Sequence, residues 1–373
     1  MAKIAPITLP GRQSQAYSIL SLIAVSGELA ANQIHRLPGG RGYKIKLIKS
    51  LKQKKLIHTY YRDKLRGYRL TSSAKEMLLD SYSERFTFPL SGNTDTNILK
   101  SEITRRLRLH SIAEATVTMQ NAGLSVFRDE KADVFRPDGG TLPALTTPAF
   151  YNSREIKGLG SESVKIKGAR TVGVLLTASE AFVVYNTGDS LLKWEYKSEM
   201  RTKALMKAVL CRERLRYRPE NIRAMMLGGS MEQAYQLLTS TGGGKRNYFV
   251  LDGNYDSFVY LTNDRNGEIL LRLLCDKEKT MALNRILSEN LYARDGGLLV
   301  ENDAVDENGE PVLFAHDCDM PRITRFDAAL RRYGKSGTVI CCDFQADALR
   351  RFCGENVRFQ TIDMRKLEGR FFP

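Results

Sequence analysis

The feature that most constrains this chain is a short cationic helix pattern running straight into a two-stranded hairpin pattern. Residues 43–53 place Ile45, Ile48 and Leu51 on one predicted buried side. The other faces of that segment carry Lys44, Lys46, Lys49, Ser50, Lys52 and Gln53, and Arg41 stands two residues before it. Residues 55–61 (KLIHTYY) are rich in β-branched and aromatic side chains and predict a strand. Residues 62–67 (RDKLRG) predict the hairpin tip, and 68–70 the return strand. Thr71 then caps a helix containing Ala74, Met77 and Leu78. Upstream, residues 13–25 and 28–35 read as two further helices, closed by Ser26-Gly27 and Pro38-Gly39-Gly40.

This order resembles the winged helix-turn-helix. Two stretches carry the resemblance: LKQKKLI at 51–57, where the recognition helix exits into the wing, and GYRLTSSA at 67–74, where the return strand is capped into a helix. The charge agrees with it. The chain holds 57 Lys/Arg against 42 Asp/Glu, a net charge of +15, and residues 1–88 alone hold 16 against 5. A field concentrated in that way favours a polyanion, above all nucleic acid. A helix of this kind fits the major groove of duplex DNA, its lysines on phosphates and Ser50 or Gln53 at base edges. Arg62, Lys64, Arg66 and Arg69 put a second cationic patch on the wing. The competing reading is a winged helix that docks a protein partner. His35 and His58 read as structural.

Pro89 and Gly92 predict a break over 86–95, and residues 97–120 a helix with Ile98, Ile103, Leu107, Ile112, Ala115 and Met119 on its apolar face. That helix is expected to connect the domains or to form a dimer seam. Arg108-Leu109-His110-Ser111-Ile112-Ala113 and Arg136-Pro137-Asp138-Gly139, following the winged module, resemble the replication-relaxation family of Gram-positive plasmids and integrative elements. The resemblance covers roughly residues 12–210. It implies a winged-helix start and a nuclease-like, restriction-endonuclease-like α/β remainder. Where that family continues into an acidic Glu-x-Asp strand, this chain has Thr147-Pro148-Ala149-Phe150-Tyr151 and Arg154-Glu155-Ile156-Lys157.

The remainder alternates short strand and helix patterns, most clearly in the strand at 338–342, the helix at 345–353 and the strand at 357–361, which predicts an α/β region with a mixed sheet. Residues 295–311 predict an exposed acidic loop. Metal-dependent nuclease chemistry needs carboxylates on a divalent ion and often a lysine near the attacking water. Asp138 with Glu155 and Lys157, or Asp189 with Glu195 and Lys197, match that need if each Glu-x-Lys lies on one face of a strand. Thr241-Gly242-Gly243-Gly244-Lys245-Arg246 misses the phosphate-loop pattern: Thr239 stands where its first glycine belongs, and Arg246 where Ser or Thr must follow the lysine. His316-Asp317-Cys318-Asp319 reads as a loop with a buried cysteine. The basic run 193–223 reads equally as a wider DNA footprint or as a solvated helix face.

The six cysteines are dispersed with no CxxC pair, which excludes zinc ribbons and classical fingers, and so few cysteines in so long a chain argue against a disulfide framework. No apolar run reaches the roughly 18 residues of a membrane span, and the amino terminus has no secretory pattern, so the expected compartment is the cytoplasm. The expected organisation is a winged helix over 12–88, a connecting or dimerisation helix over 95–123 and an α/β domain over 124–373, with a division near 220–250. The expected function is sequence-preferring binding of double-stranded DNA in replication, transfer or transcriptional control of a mobile element. The expected partners are duplex DNA, a second copy in a homodimer, and replication or transfer proteins, with no membrane. No cofactor is expected. The alternatives are a divalent-metal-dependent nuclease using Asp138, Glu155 and Lys157, or a non-catalytic interaction scaffold.

Overall fold

A computed structural model describes residues 8–91, 102–135, 147–156, 169–213, 218–245, 247–293 and 299–373. The chain forms two compact units, 1–158 and 159–373, of a multidomain α/β architecture. No helix among the described residues is long and apolar enough to cross a membrane.

In the first unit, α1 (Gln15–Ser26) is apolar on nearly every side and is buried accordingly. Ser14 caps it, its Oγ accepting from the Tyr17 amide at 3.2 Å. The predicted second helix is instead strand β1 (Leu29–Ala30) followed by a 3-10 turn (Ala31–Arg36). The difference has a cause: Leu29 and Ala30 pair antiparallel with Tyr68 and Gly67, which gives the hairpin a third strand. Helix α2 (Arg41–Gln53) starts two residues before its predicted position. Strands β2 (Ile57–Arg62) and β3 (Leu65–Leu70) pair antiparallel, and the sheet order is β1-β3-β2. The predicted six-residue tip is a two-residue turn, Asp63-Lys64, with both φ angles positive, the backbone that a tight hairpin requires. Gly67 belongs to the strand.

Helix α3 (Ser72–Ser81) is capped by Thr71 as predicted, its Oγ1 accepting from the Ala74 amide at 3.2 Å. Helix α4 (Ser83–Leu90) continues through Pro89, against the expected break. Pro89 sits in the last turn, where its missing N–H forfeits one hydrogen bond and nothing follows to be kinked. Helix α5 (Ile103–Asn121) lays Ala113 and Val117 into the same apolar core as Leu20, Ile48, Leu51, Leu70 and Phe86. It is therefore an integral helix of the first unit; residues 97–101 of the expected helix lie outside the described residues. Strand β4 (Ala149–Asn152) and the single turn α6 (Ser153–Ile156) complete this unit.

In the second unit, β5 (Gly173–Leu176) runs antiparallel to β6 (Ala181–Gly188). Helix α7 (Tyr196–Lys207) leads, through a π-helical turn (Ala208–Glu213), to β7 (Ile222–Gly228), parallel to β6. Helix α8 (Met231–Leu238) leads on to β8 (Phe258–Thr262), parallel to β7. Then come α9 (Arg265–Leu274), α10 (Lys277–Leu287) and the short strands β9 (Tyr292–Ala293) and β10 (Ala304–Val305). A parallel run follows: β11 (Pro311–Phe314), α11 (Met320–Tyr333), β12 (Gly337–Cys342), α12 (Ala346–Phe352) and β13 (Val357–Ile362), closed by α13 (Met364–Phe371). The second sheet has the order β13-β12-β11-β10-β9 and is mixed, because β10 is antiparallel to both of its neighbours. Lys193 and Tyr248 form an isolated antiparallel bridge, and β10 lies within the predicted acidic loop.

Candidate nucleic-acid interface

Helix α2 buries Lys44, Ile48 and Leu51 and turns its opposite face outward. On that outer face Arg41, Lys46, Lys49 and Gln53 are exposed, and Ser50 is half-buried. Arg41, Lys46 and Lys49 form no ion pair among the described residues. On the hairpin Arg62, Lys64 and Arg66 are exposed, Arg62 lying 3.5 Å from Asp63. Between Glu28 and Asp63 the sequence has no carboxylate at all. The helix and hairpin cations adjoin at Lys52, whose ammonium lies 5.2 Å from the Tyr68 ring centroid. Burial, and then the nearby Arg66 charge, push the Lys52 pKa down.

Two of the expected contact residues occupy different places. Lys44 is buried, and its Nζ donates to the carbonyls of His35 and Leu37, each at 2.8 Å. It ties the 3-10 turn and the loop after it to α2. The reason is rotational: Lys44 shares a helix face with Ile48 and Leu51, four and seven residues on. Arg69 is also buried, its Nε 2.8 Å and a terminal nitrogen 2.7 Å from Glu28 Oε2. Conversely Ile45, expected inside, is 57% exposed.

Glu28 organises the base of the hairpin. It is fully buried and accepts from Arg69, from Arg106 at 2.6 Å, and lies 2.7 Å from His110 Nε2. Burial raises its pKa, but the bonds to His110, Arg106 and Arg69 outweigh that and bring it down to about 2. Gly67 faces this carboxylate, and any Cβ there would collide with it. Arg106 also donates to the Arg62 carbonyl at 2.8 Å and the Leu65 carbonyl at 3.2 Å, so α5 holds both strands next to the turn. None of these roles has a periodic signature. The available clue was that Glu28 is the only carboxylate in the first 62 residues.

Of the residues named for the nuclease alternative, Glu155 is the one among the described residues. Asp138 and Lys157 lie outside the described residues. Glu155 is in the helical turn α6 and not on a strand, so it occupies no sheet face. Its carboxylate accepts from the buried Lys131 at 2.9 Å and from the Asn152 amide at 2.9 Å. Burial lowers the Lys131 pKa, opposed by Glu155. The second set fails on the same ground: Asp189 lies in a turn, Glu195 precedes α7 and Lys197 is within it.

In the second unit, Asp319 accepts from Ser257 at 2.5 Å and the Phe258 amide at 3.2 Å, with Arg223 3.4 Å away. Burial, then Asp317, raise its pKa. Arg223 also reaches Glu180 and Asp317, so the acids of the His316–Asp319 segment serve an internal ion-pair cluster. Cys318 is buried with a positive φ. Among the described residues no group of three His, Cys, Asp or Glu side chains is placed to hold a metal ion. Comparison with protein-family models, with curated proteins and with solved structures yields no match.

Proposed function

We propose that the first unit is a winged helix-turn-helix that binds duplex DNA with sequence preference, α2 entering the major groove and the β2-β3 hairpin acting as the wing. The observation that carries this reading is the set Arg41, Lys46 and Lys49: three exposed cations on one helix without a carboxylate partner among the described residues. The cations that serve the fold, such as Lys44, Arg69, Arg85 and Arg106, are buried against carboxylates or carbonyls. Uncompensated surface charge of this kind is the footprint of phosphate binding. The sequence resemblance to replication-relaxation proteins supports a setting in replication, transfer or transcriptional control of a mobile element.

Fluorescence anisotropy on duplex DNA over a range of salt concentrations tests the reading. Each phosphate contact contributes about 0.9 to the slope of log affinity against log salt. Replacing Arg41, Lys46 and Lys49 together with glutamine is expected to flatten that slope by about 2–3. Lys44→Met is the control. It is expected to lower stability by about 1–3 kcal/mol, because two carbonyls lose a charged donor, and to leave the slope unchanged. A triple variant with wild-type slope removes this face from DNA binding.

A further inference from the structure

Ile45 has no part in holding α2 in place. Burial of the helix is carried by Lys44, Ile48 and Leu51, whereas Ile45 is 57% exposed. A β-branched residue is also a weaker helix former than alanine, so the position gains nothing locally from isoleucine. The other apolar residue turned outward, Tyr43, has local company: its ring lies beside Gly39, where a Cβ would meet it at 3.2 Å. Ile45 stands between two cations, Arg41 one turn before it and Lys49 one turn after. Beside it Gly42 presents no side chain, and the space a Cβ would occupy there is open. An apolar side chain flanked by uncompensated positive charges suits a surface that is anionic at its margins and apolar at one point. In the major groove that point is the C5-methyl group of thymine, flanked by phosphates. Ile45 also lies in the first half of α2, the part of such a helix that reaches base edges.

We infer that Ile45 is a specificity residue that reads a thymine methyl group, so that the preferred duplex contains at least one thymine the protein recognises by its methyl. This rests on the DNA-binding reading above and adds to it the chemistry of one base position. It also assigns α2 two kinds of work: Arg41, Lys46 and Lys49 set affinity for any duplex, and Ile45 sets preference among them.

The test begins with the best-bound duplex selected by the full chain from a random pool, remade with each thymine in turn replaced by uracil, which lacks only the methyl. For the wild type, at least one replacement is expected to weaken binding about fourfold, the worth of one buried methyl. In Ile45→Ala the same replacement is expected to cost less than about 1.5-fold, and in Ile45→Val to keep most of its effect. Because Ile45 is exposed, the alanine variant should unfold at the wild-type denaturant midpoint, and its salt slope should match the wild type. The inference is overturned by a selected duplex in which no thymine replacement matters, or by a uracil effect that persists undiminished in Ile45→Ala. Either result, obtained with salt-dependent binding intact, leaves the DNA-binding reading standing. Absence of salt-dependent binding by the wild type overturns both.

Discussion

A fully buried carboxylate in contact with two guanidinium groups and an imidazole makes the stability of the first unit depend on pH in a predictable direction. Glu28 keeps its charge down to about pH 2, whereas an unperturbed glutamate loses it near 4.5. Its folded pKa is depressed, so its contribution is complete above the unfolded value and is lost as pH falls through the folded one. In denaturant melts, Glu28→Gln is expected to be less stable than the wild type by about 3 kcal/mol at pH 6, since the buried charges of Arg69 and Arg106 would lose the carboxylate that balances them. That gap should narrow between pH 4.5 and 2. A gap independent of pH would mean that packing at this position, not charge, supports the hairpin. The side chains of α2 were legible from the sequence in composition but not wholly in direction. Lys44 and Ile45 exchange the expected sides because the apolar triplet Ile45, Ile48, Leu51 spans more arc than the narrow buried face of the helix can hold.

Elements with a local signal stand where the sequence predicts them, the short strands β12 and β13 included, whereas a strand of two residues gives no such signal. Helix α12 lies within its expected residues 345–353 and Thr71 caps α3, because helical repeats and capping hydroxyls are local signals. Strand β1, two residues long, has no period to detect, and its existence depends on Tyr68 and Gly67 nearly forty residues later. The hairpin turn has a sharper consequence. Asp63 and Lys64 hold φ near +53° and +61°, and Lys55, after α2, holds +52°. Side chains with a Cβ are strained there, and the pair Asn-Gly is the one best suited to such a turn. The double change Asp63→Asn with Lys64→Gly is expected to raise stability by about 1 kcal/mol. It removes one exposed cation from the hairpin, so the salt slope for DNA should fall by no more than about 1. A destabilised double variant would show that the Asp63 carboxylate near Arg62 matters more than the backbone strain.

At the scale of the molecule, charge divides unevenly between the two units. Residues 1–158 hold 25 Lys/Arg against 13 Asp/Glu, and residues 159–373 hold 32 against 29, so twelve of the fifteen excess charges belong to the first unit. The basic run at 193–223, which the sequence alone left as an equal candidate for DNA contact, is partly committed to the fold. Arg223 is engaged by Glu180, Asp317 and Asp319, and the Lys203 ammonium donates to the Asn254 carbonyl. Electrostatic binding follows uncompensated charge, not the number of basic residues. A chain limited to residues 1–158 is therefore expected to keep the salt slope of the full protein, and one limited to 159–373 to show a slope near zero, both read by anisotropy on the same duplex. If the 159–373 chain carried most of the slope, the interface would have to be sought along α7 and the residues that follow it, and α2 would be left with charge but no established use for it.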